Sequence, residues 1–289
     1  MSQIQTTVTK PYPRKVLPDF VRRLPVNAKI TLGLLIILLV LLASICAPLL
    51  TPYDPVKNDL SQAFQPPGSE HWFGTDNFGR DIFTRMLYAA RIDLQIGIFS
   101  VITPLVLGSL IGLLSGYFGG WFDSVMMRLV DIVISFPFIV LIIAIISILG
   151  TGLFNLYLAI ALVGWSAYAR IVRAEVLVIK QQEYILAARG MGYGHGRILF
   201  RHILPNVISS ALVFAMSDVV LCILLGASLS FLGLGVQPPT PEWGAMIAEG
   251  RNFIINAWWI ATIPGLGIIV TGLGFSLLGD GLAEKIESQ

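Results

Sequence analysis

The sequence predicts an all-α protein that spans a membrane, because it is strongly apolar and divides into long hydrophobic stretches. Of its 289 residues 55% are hydrophobic and 12% are charged, and the mean hydropathy is +0.80. Soluble domains carry about 25% charged residues. A helix needs about 20 apolar residues to cross the hydrocarbon core of a bilayer. The six stretches that approach or exceed this length are 28–50, 94–118, 132–149, 153–171, 207–232 and 258–278.

The first apolar stretch, 28–50, is expected to stay in the mature chain as a transmembrane helix. It is too long for the apolar region of a signal peptide and lacks a small-residue cleavage site at the right place. The tail before it, residues 1–27, is basic and contains four prolines, so it is too polar and too interrupted to build a core. We expect the tail to act as a topology signal that also touches lipid headgroups.

The basic residues predict which side of the membrane each connection faces, since Lys and Arg are retained on the cytoplasmic side. If the N-terminus lies inside, fourteen of the nineteen Lys and Arg residues fall on cytoplasmic segments and five fall outside. Both termini are therefore predicted to be cytoplasmic. The net charge of +2 follows from this topology, and no basic patch with interleaved aromatic residues indicates nucleic-acid binding. The five outer residues are Lys57, Arg80, Arg85, Arg91 and Arg251.

The connection after the first helix, up to residue 70, is rich in turn-forming residues, and an amphipathic segment follows it over residues 71–93. Apolar residues recur in this segment at steps of three and four, at Phe83, Met86, Leu87, Ala90 and Leu94. This period predicts a helix lying in the membrane interface.

The later spans carry glycines, prolines and one acidic residue that need an explanation. Gly108, Gly112 and Gly116 lie four residues apart, so they share one helix face and allow close approach of a helix from this chain or from a partner subunit. Asp218 lies near the middle of a span, where a carboxylate either lines a pathway or packs between helices with hydrogen bonds. Prolines inside predicted helices are expected to cause kinks. They are Pro104, Pro137 and Pro264.

Residues 183–206 form a basic segment, broken by glycines, between two strongly apolar stretches. Ala187 and Ala188 would leave one helix face bare enough for another protein to approach. Four glycines should then end the helix, and a short helix over 197–204 should end at Pro205. The segment is therefore predicted to be bound by a partner protein. The four glycines are Gly190, Gly192, Gly194 and Gly196.

The sequence contains no recognisable catalytic or metal site. The glycines of the 183–206 segment are followed by Arg197 and Ile198, so no Lys-Ser or Lys-Thr completes a phosphate-binding loop. The three histidines, His71, His195 and His202, are scattered outside the spans, which argues against a metal cage. The sequence therefore predicts a protein that is not an enzyme.

The 183–206 segment resembles the cytoplasmic coupling loop of ABC importer permeases. The family motif reads Glu-Ala-Ala, a Gly four residues after the second Ala, and Leu-Pro after a further spacer. Leu186 stands where the motif has Glu, and His202 stands where it has a later Ile. The matching residues are Ala187, Ala188, Gly192, Leu204 and Pro205. The resemblance implies an ATPase-coupling role for Glu183, Ala187, Ala188, Arg189, Gly190, Gly192, Leu204 and Pro205.

Three more segments resemble the dipeptide, oligopeptide and nickel branch of these importers. One has the form FGTD-x-x-GRD-x-x-x-R. Another, residues 233–252, begins with prolines and becomes helix-compatible at Glu242 and Trp243, and the third is LLGDGL at 277–282. The residues of the first are Phe73, Gly74, Thr75, Asp76, Gly79, Arg80, Asp81 and Arg85.

The chain thus resembles a second-position permease with the transmembrane domain of a type I ABC importer. The core covers 94–282, its coupling loop 173–206, and an extra N-terminal helix with its outer connection covers 28–70. The resemblance implies a bacterial inner-membrane protein that works with a second homologous permease, two ATPases and an extracytoplasmic solute-binding protein. ATP and magnesium would bind to the ATPases, so no cofactor is expected in this chain.

Two matters stay open at the level of sequence. The cargo of this branch can be a dipeptide, an oligopeptide, a glutathione-like peptide, an opine or nickel. The main alternative is an ion-coupled secondary transporter that works without ATPases, although such proteins often carry paired repeats and intramembrane ion sites. A membrane-embedded enzyme would need a catalytic cluster.

Overall fold

The computed structural model describes residues 25–288, so the predicted tail of residues 1–27 lies almost wholly outside the described residues. Every regular element in the described range is helical, and nine helices there have eight or more residues. They are α1 (Val26–Ile45), α2 (Ile82–Phe118), α3 (Gly120–Ile134), α4 (Phe138–Leu149), α5 (Leu153–Ile179), α6 (Glu183–Gly190), α7 (Leu204–Phe231), α8 (Trp243–Gly250) and α9 (Trp259–Glu287).

The described residues contain five helices long and apolar enough to cross a membrane, and a sixth span if the bent pair α3 and α4 counts as one. Contacts at both ends of this pair show that it crosses the bundle. Just before α3, Gly116 accepts a hydrogen bond from Lys180 Nζ (2.7 Å), next to α6. Just after α4, the Gly152 N–H donates to the Gly235 carbonyl (3.2 Å), next to α8. Counting the bent pair as one span gives the described residues the six spans that the sequence predicts.

The same contacts divide the bundle into two ends. We call the end that contains residues 180–203 the loop end, and the end that contains residues 51–81 and 232–258 the opposite end. An ion pair between Lys29 at the start of α1 and Glu284 near the end of α9 places both ends of the described chain together. An even number of crossings is consistent with this arrangement.

One predicted kink is confirmed and one predicted helix was wrong. The third span is broken at 135–137 with a bend of 88°, at the proline where the sequence predicts a kink. The amphipathic stretch of 71–93 does not form a separate interfacial helix. From Ile82 onwards it is the beginning of α2, which runs unbroken for 37 residues. Pro104 and Pro264 lie inside helices as expected.

The glycines of α2 pack against α5 of the same chain. A Cβ at Gly108 would lie 2.3 Å from the Trp165 carbonyl oxygen, and one at Gly112 would lie 2.5 Å from that of Ala169. A Cβ at Gly116 would lie 2.8 Å from Val176 Cβ. The α2 and α5 backbones are therefore in direct contact along three turns, which only glycine permits. The glycine face therefore packs against a helix of its own chain, which is one of the two partners that the sequence left open.

The N-terminal helix α1 also docks through a glycine. A Cβ at Gly33 would lie 2.7 Å from both the Gly274 carbonyl oxygen and the Leu278 nitrogen of α9. At the far end of α1, Arg91 of α2 donates from Nε to the Ser44 carbonyl (2.6 Å) and so satisfies a free end of the helix. The extra helix is thus fixed to both α9 and α2.

We expect Gly112→Val to destabilise the subunit, because the new side chain would overlap backbone atoms of α5 that cannot move aside. Overpacking of this kind costs about 1–3 kcal/mol. Gly265→Ala in α9 is the matched control, since a Cβ there meets nothing within 4 Å. Thermal unfolding of the purified subunit in detergent measures both. Equal melting temperatures for the two variants would contradict backbone contact between α2 and α5.

Candidate functional site

The predicted coupling segment forms a short helix, α6, with a glycine-dependent C-terminus. Gly192 has φ +79°, a conformation that L side chains rarely adopt. Its N–H donates to the Arg189 carbonyl (2.9 Å), and the Tyr193 N–H donates to the Ala188 carbonyl (3.1 Å). These two bonds form the Schellman motif that ends many helices. Gly192 therefore has a defined backbone role at the end of α6.

One face of α6 packs inward and the other faces out. Ile185 is 0% exposed and Ala188 is 1% exposed, and both belong to the same buried cluster as Ile198 and Ile203. The prediction that both alanines face a partner is wrong for Ala188, whose small side chain lets α6 lie close to its own chain. Ala187 is exposed as predicted.

The exposed residues of α6 and its C-cap include several apolar side chains. Tyr184 (46%), Leu186 (52%) and Met191 (64%) are about half or more exposed in this chain, and Ala187 is exposed among them. We call these four residues the coupling face. Glu183 and Arg189, at the first and last turns of α6, are exposed beside it. Sequence reasoning found Ala187 through its motif but missed the larger residues, because only the packing of Ile185 shows which way the helix faces.

The rest of the segment differs from the prediction in two respects. Gly190 ends α6 and Gly194 precedes the next helical turn, but Gly196 is itself helical within His195–Arg197. That turn continues through a π-helical stretch, Ile198–Ile203, directly into α7. Pro205 therefore does not end a helix. It lies in the first turn of α7, beside the partly buried Leu204 and directly after the π-helical stretch.

The coupling segment is tied to the end of α2. The Tyr117 hydroxyl is 2.8 Å from His195 Nδ1, and the Arg189 guanidinium lies over the Tyr117 ring at 5.2 Å. Elsewhere in the segment the His202 ring stacks on Tyr193 at 5.9 Å. The sequence carried no local signal for Tyr117, which is 78 positions away from its partner.

At the opposite end, residues of the FGTD-x-x-GRD motif form a buried ionic cluster. Asp76 accepts hydrogen bonds from Arg80 Nε (2.6 Å) and from Arg85. Both arginines also donate to Glu249 of α8, at 2.7 Å from Arg80 and 2.9 Å from Arg85. Asp76, Arg80 and Arg85 are at most 4% exposed. The motif therefore holds α8 against the start of α2.

The remaining aspartate of the motif, Asp81, caps α2. Its carboxylate accepts from the Thr84 N–H (2.7 Å), which satisfies one free donor of the first turn. His71 Nδ1 lies 2.9 Å from the other carboxylate oxygen. The motif thus builds a folded connection at the start of α2, and its charges are internally paired.

A second buried acidic group lies close by, where Glu242 begins α8. The carboxylate of Glu242 accepts from the N–H groups of Gly244 (2.9 Å) and Ala245 (2.7 Å), which confirms the predicted start of this helix. Asp93 of α2 accepts from the Trp243 N–H (3.1 Å), so both acids bind backbone N–H groups at the start of α8. Both acids are 0% exposed. Burial raises the pKa of the Glu242 carboxyl, against the lowering effect of its backbone donors.

Asp218 lies in α7 and is only partly exposed. It accepts a hydrogen bond from the hydroxyl of Tyr168 in α5 (2.8 Å). Tyr168 is 0% exposed, so its hydroxyl depends on this acceptor. The contact matches the interpretation of Asp218 as a packed carboxylate between helices.

Among residues 25–288, no group of three or more His, Cys, Asp or Glu side chains is arranged to hold a metal ion. The three histidines contact Asp81, Tyr117 and Tyr193 and are not brought together. The described chain thus has a short helix with exposed apolar side chains at one end and buried polar clusters at the other.

Known proteins resemble this chain over most of its length. Residues 108–288 match the family described as binding-protein-dependent transport system inner membrane component. Residues 18–67 match the N-terminal transmembrane domain of oligopeptide transport permease C.

Two curated relatives cover nearly the whole chain. The dipeptide transport system permease protein DppC of Alkalihalophilus pseudofirmus is 44% identical over 92% of this chain and 88% of its own length. The glutathione transport system permease protein GsiD of Pectobacterium atrosepticum is 45% identical over 93% of this chain and 90% of its own.

A third relative and one solved structure agree with these matches. The probable D,D-dipeptide transport system permease protein DdpC of Escherichia coli is 42% identical over 87% of this chain and 85% of its own length. A chain of the MetNI methionine ABC transporter in an inward-facing conformation shares the fold, with a TM-score of 0.55 at 22% identity over 70% of this chain and 96% of that one.

We expect the melting temperature of the Glu242→Gln variant to fall less with rising pH than that of the wild-type protein. A buried carboxyl with a raised pKa keeps its proton in the folded state while the unfolded chain releases it, so stability falls as pH rises above the ordinary value of 4.5. Glutamine keeps an acceptor for the α8 N–H groups and does not titrate. Melting temperatures of both proteins, measured from pH 5 upwards, test this. Parallel curves would show that Glu242 does not hold a proton in the folded protein.

Asp218→Asn should preserve stability, because the asparagine oxygen still accepts from Tyr168. Asp218→Leu leaves the buried hydroxyl without a partner, at a cost of about 1–3 kcal/mol. Thermal unfolding in detergent compares the pair. If the leucine variant is as stable as the asparagine variant, the packing role is wrong and a role in the pathway is favoured.

Proposed function

The chain belongs to the family of binding-protein-dependent transport system inner membrane components, and on that premise we propose that it forms half of the pathway of an ATP-driven importer. The other half would be a second permease of the same family, and an extracytoplasmic binding protein would deliver the cargo. The ion-coupled alternative is not favoured, because the family works with a binding protein. As a transport subunit, this chain would leave ATP and magnesium to separate ATPases.

The cargo we propose is a short peptide. The names of the relatives refer to dipeptides, glutathione and D,D-dipeptides, and each of these relatives is 42% to 45% identical to this chain. The shared feature of such cargoes is at least one amide bond between amino acids, with charged groups at the ends. An uptake assay with labelled dipeptides, and with glutathione as the competing cargo, would identify the class.

The loop end is proposed to face the cytoplasm. Lys180, Arg189, Arg197 and Arg201 all lie at this end, which fits the retention of basic residues on the cytoplasmic side. Of the five basic residues predicted to face outwards, Arg80 and Arg85 are buried in the ionic cluster and Arg91 caps α1. These three contribute to packing, so the opposite end exposes little basic charge.

The observation that carries the proposed mechanism is the coupling face of α6. Its half-exposed apolar side chains project from a helix that is fixed on its other side by Ile185 and Ala188. A short helix with an apolar outer face is well suited to a groove on another protein. We propose that one of the two ATPases binds this face, and that closure of the ATPases on ATP moves α6 and the helices attached to it.

The resemblance implies one coupling role for all of the predicted coupling residues, and we use the geometry to propose a separate role for each. Ala187 would lie at the contact, and Glu183 and Arg189 would lie at its polar rim. Ala188 and Gly192 would shape the helix and its end. Leu204 and Pro205 lie at the start of α7, where they would connect the segment to the next span.

We expect Tyr184→Ala together with Met191→Ala to weaken ATPase association at least about tenfold, because two apolar anchors are removed from the coupling face. A tenfold loss corresponds to about 1.4 kcal/mol, less than full burial of one large apolar side chain contributes. Gln181→Ala, exposed just before α6, is the matched control. Binding of the purified ATPases to the subunit in nanodiscs measures both variants. Wild-type affinity in the double variant would show that the ATPases do not use this face.

A further inference from the structure

Three groups of the coupling segment converge on the last turn of α2. Lys180 Nζ donates to the carbonyl of Gly116 (2.7 Å), His195 meets the Tyr117 hydroxyl (2.8 Å), and Arg189 lies over the Tyr117 ring. They come from the residue after α5, from the end of α6 and from the turn that leads into α7. These three contacts therefore attach residues 180–195 to Gly116 and Tyr117 of α2.

The helix that receives these contacts is firmly joined to α5. The glycine face of α2 places the two backbones in contact along three turns, so one helix cannot move along its axis without the other. The α5 helix in turn leads into α6 through only three residues, 180–182. Movement of α6 is thus directed into the α2–α5 pair both through the chain and through Tyr117.

At its other end, α2 holds the short helix α8. Arg85 donates to Glu249 (2.9 Å), Asp93 accepts from the Trp243 N–H (3.1 Å), and the Trp243 indole donates to the Met86 carbonyl (3.3 Å). A helix of 37 residues is about 55 Å long. One continuous helix therefore carries the contacts of the coupling segment at one end and those of α8 at the other.

We propose that α2 transmits movement of the coupling helix to α8 across the membrane, with Tyr117 and His195 as positioning residues that attach the coupling segment to it. The inference rests on the proposed function, because it needs an ATPase that acts on α6. It goes further by assigning the path within this subunit and two residues outside the coupling motif.

Tyr117 allows the attachment to be weakened selectively. The residue is 7% exposed and its ring contacts Phe118 and Arg189, so Tyr117→Phe keeps the packing and removes only the hydroxyl. His195 is exposed, so its replacement does not disturb a core. His195→Ala removes the hydrogen bond, whereas His195→Asn places a polar atom near the former Nδ1 position and should restore it.

The experiment uses the assembled importer, with its partner permease, ATPases and binding protein, in proteoliposomes. ATPase association, ATP hydrolysis and dipeptide uptake are measured for each variant. We expect Tyr117→Phe and His195→Ala to keep association and hydrolysis but to lower the uptake per ATP hydrolysed by about two- to tenfold, the effect of one lost hydrogen bond. His195→Asn should recover most of the wild-type ratio.

Tyr53→Phe is the matched control. It also removes a tyrosine hydroxyl that donates to a backbone carbonyl, that of Glu70 (3.1 Å), but at the opposite end of the bundle. Its ratio of uptake to hydrolysis should equal that of the wild type. Because the Tyr53 hydroxyl is not bonded to the coupling segment, this control separates loss of the attachment from a general loss of stability.

Each remaining outcome has a distinct meaning. Wild-type ratios in both Tyr117→Phe and His195→Ala would overturn the inference and leave the proposed function intact. Loss of ATPase association in these variants would also overturn it, since the contact would then shape the docking face. If the wild-type subunit itself does not bind ATPases, the proposed function fails and the inference fails with it.

Discussion

The backbone contact between α2 and α5 is the interaction on which the rest of the structure depends. Gly108, Gly112 and Gly116 carry no side chain into the contact, so that backbone atoms of α5 and the Val176 side chain lie close to where a Cβ would otherwise be. Inside a bilayer there is no hydrophobic driving force between helices, and close packing of small residues takes its place. The other elements are attached to this pair. The bent helices α3 and α4 connect its two members, α6 continues from α5, and α1 is capped by Arg91 of α2.

The pairing of the charged groups follows from their burial. A buried charge is costly unless it is paired, and the described part of the chain pairs its buried cations at helix ends. Arg80 and Arg85 share Asp76 and Glu249, and Lys29 pairs with Glu284. The pairs link segments that are far apart in the sequence, so they fix the ends of the bundle as well as satisfying the charges. Asp93 and Glu242 have no cation among their described hydrogen-bond partners, and both accept from backbone N–H groups at the start of α8.

The coupling segment combines a fixed inner side with an accessible outer side. Ile185 and Ala188 hold α6 to its own subunit, and the Schellman motif at Gly192 turns the chain back toward Tyr117. A partner that pushes on the coupling face therefore acts on a helix that cannot roll or slide freely. This is the mechanical property that a transmission element needs, and it results from packing on one face combined with backbone conformation at one glycine.

The sequence by itself determined the membrane class, the apolar stretches that become the spans, the glycine face of α2 and the start of α8. These features depend on local composition and spacing, which a single chain displays directly. The tertiary structure alone decided that residues 82–93 belong to the same helix as the second span, that Ala188 faces inward, and that Pro205 lies within a continuing helix. It also decided which charges meet, since Arg85 and Glu249 are 164 positions apart and Tyr117 and His195 are 78 apart. Local patterns describe which face of a helix is apolar, but the neighbour that covers that face is set by packing of the whole bundle.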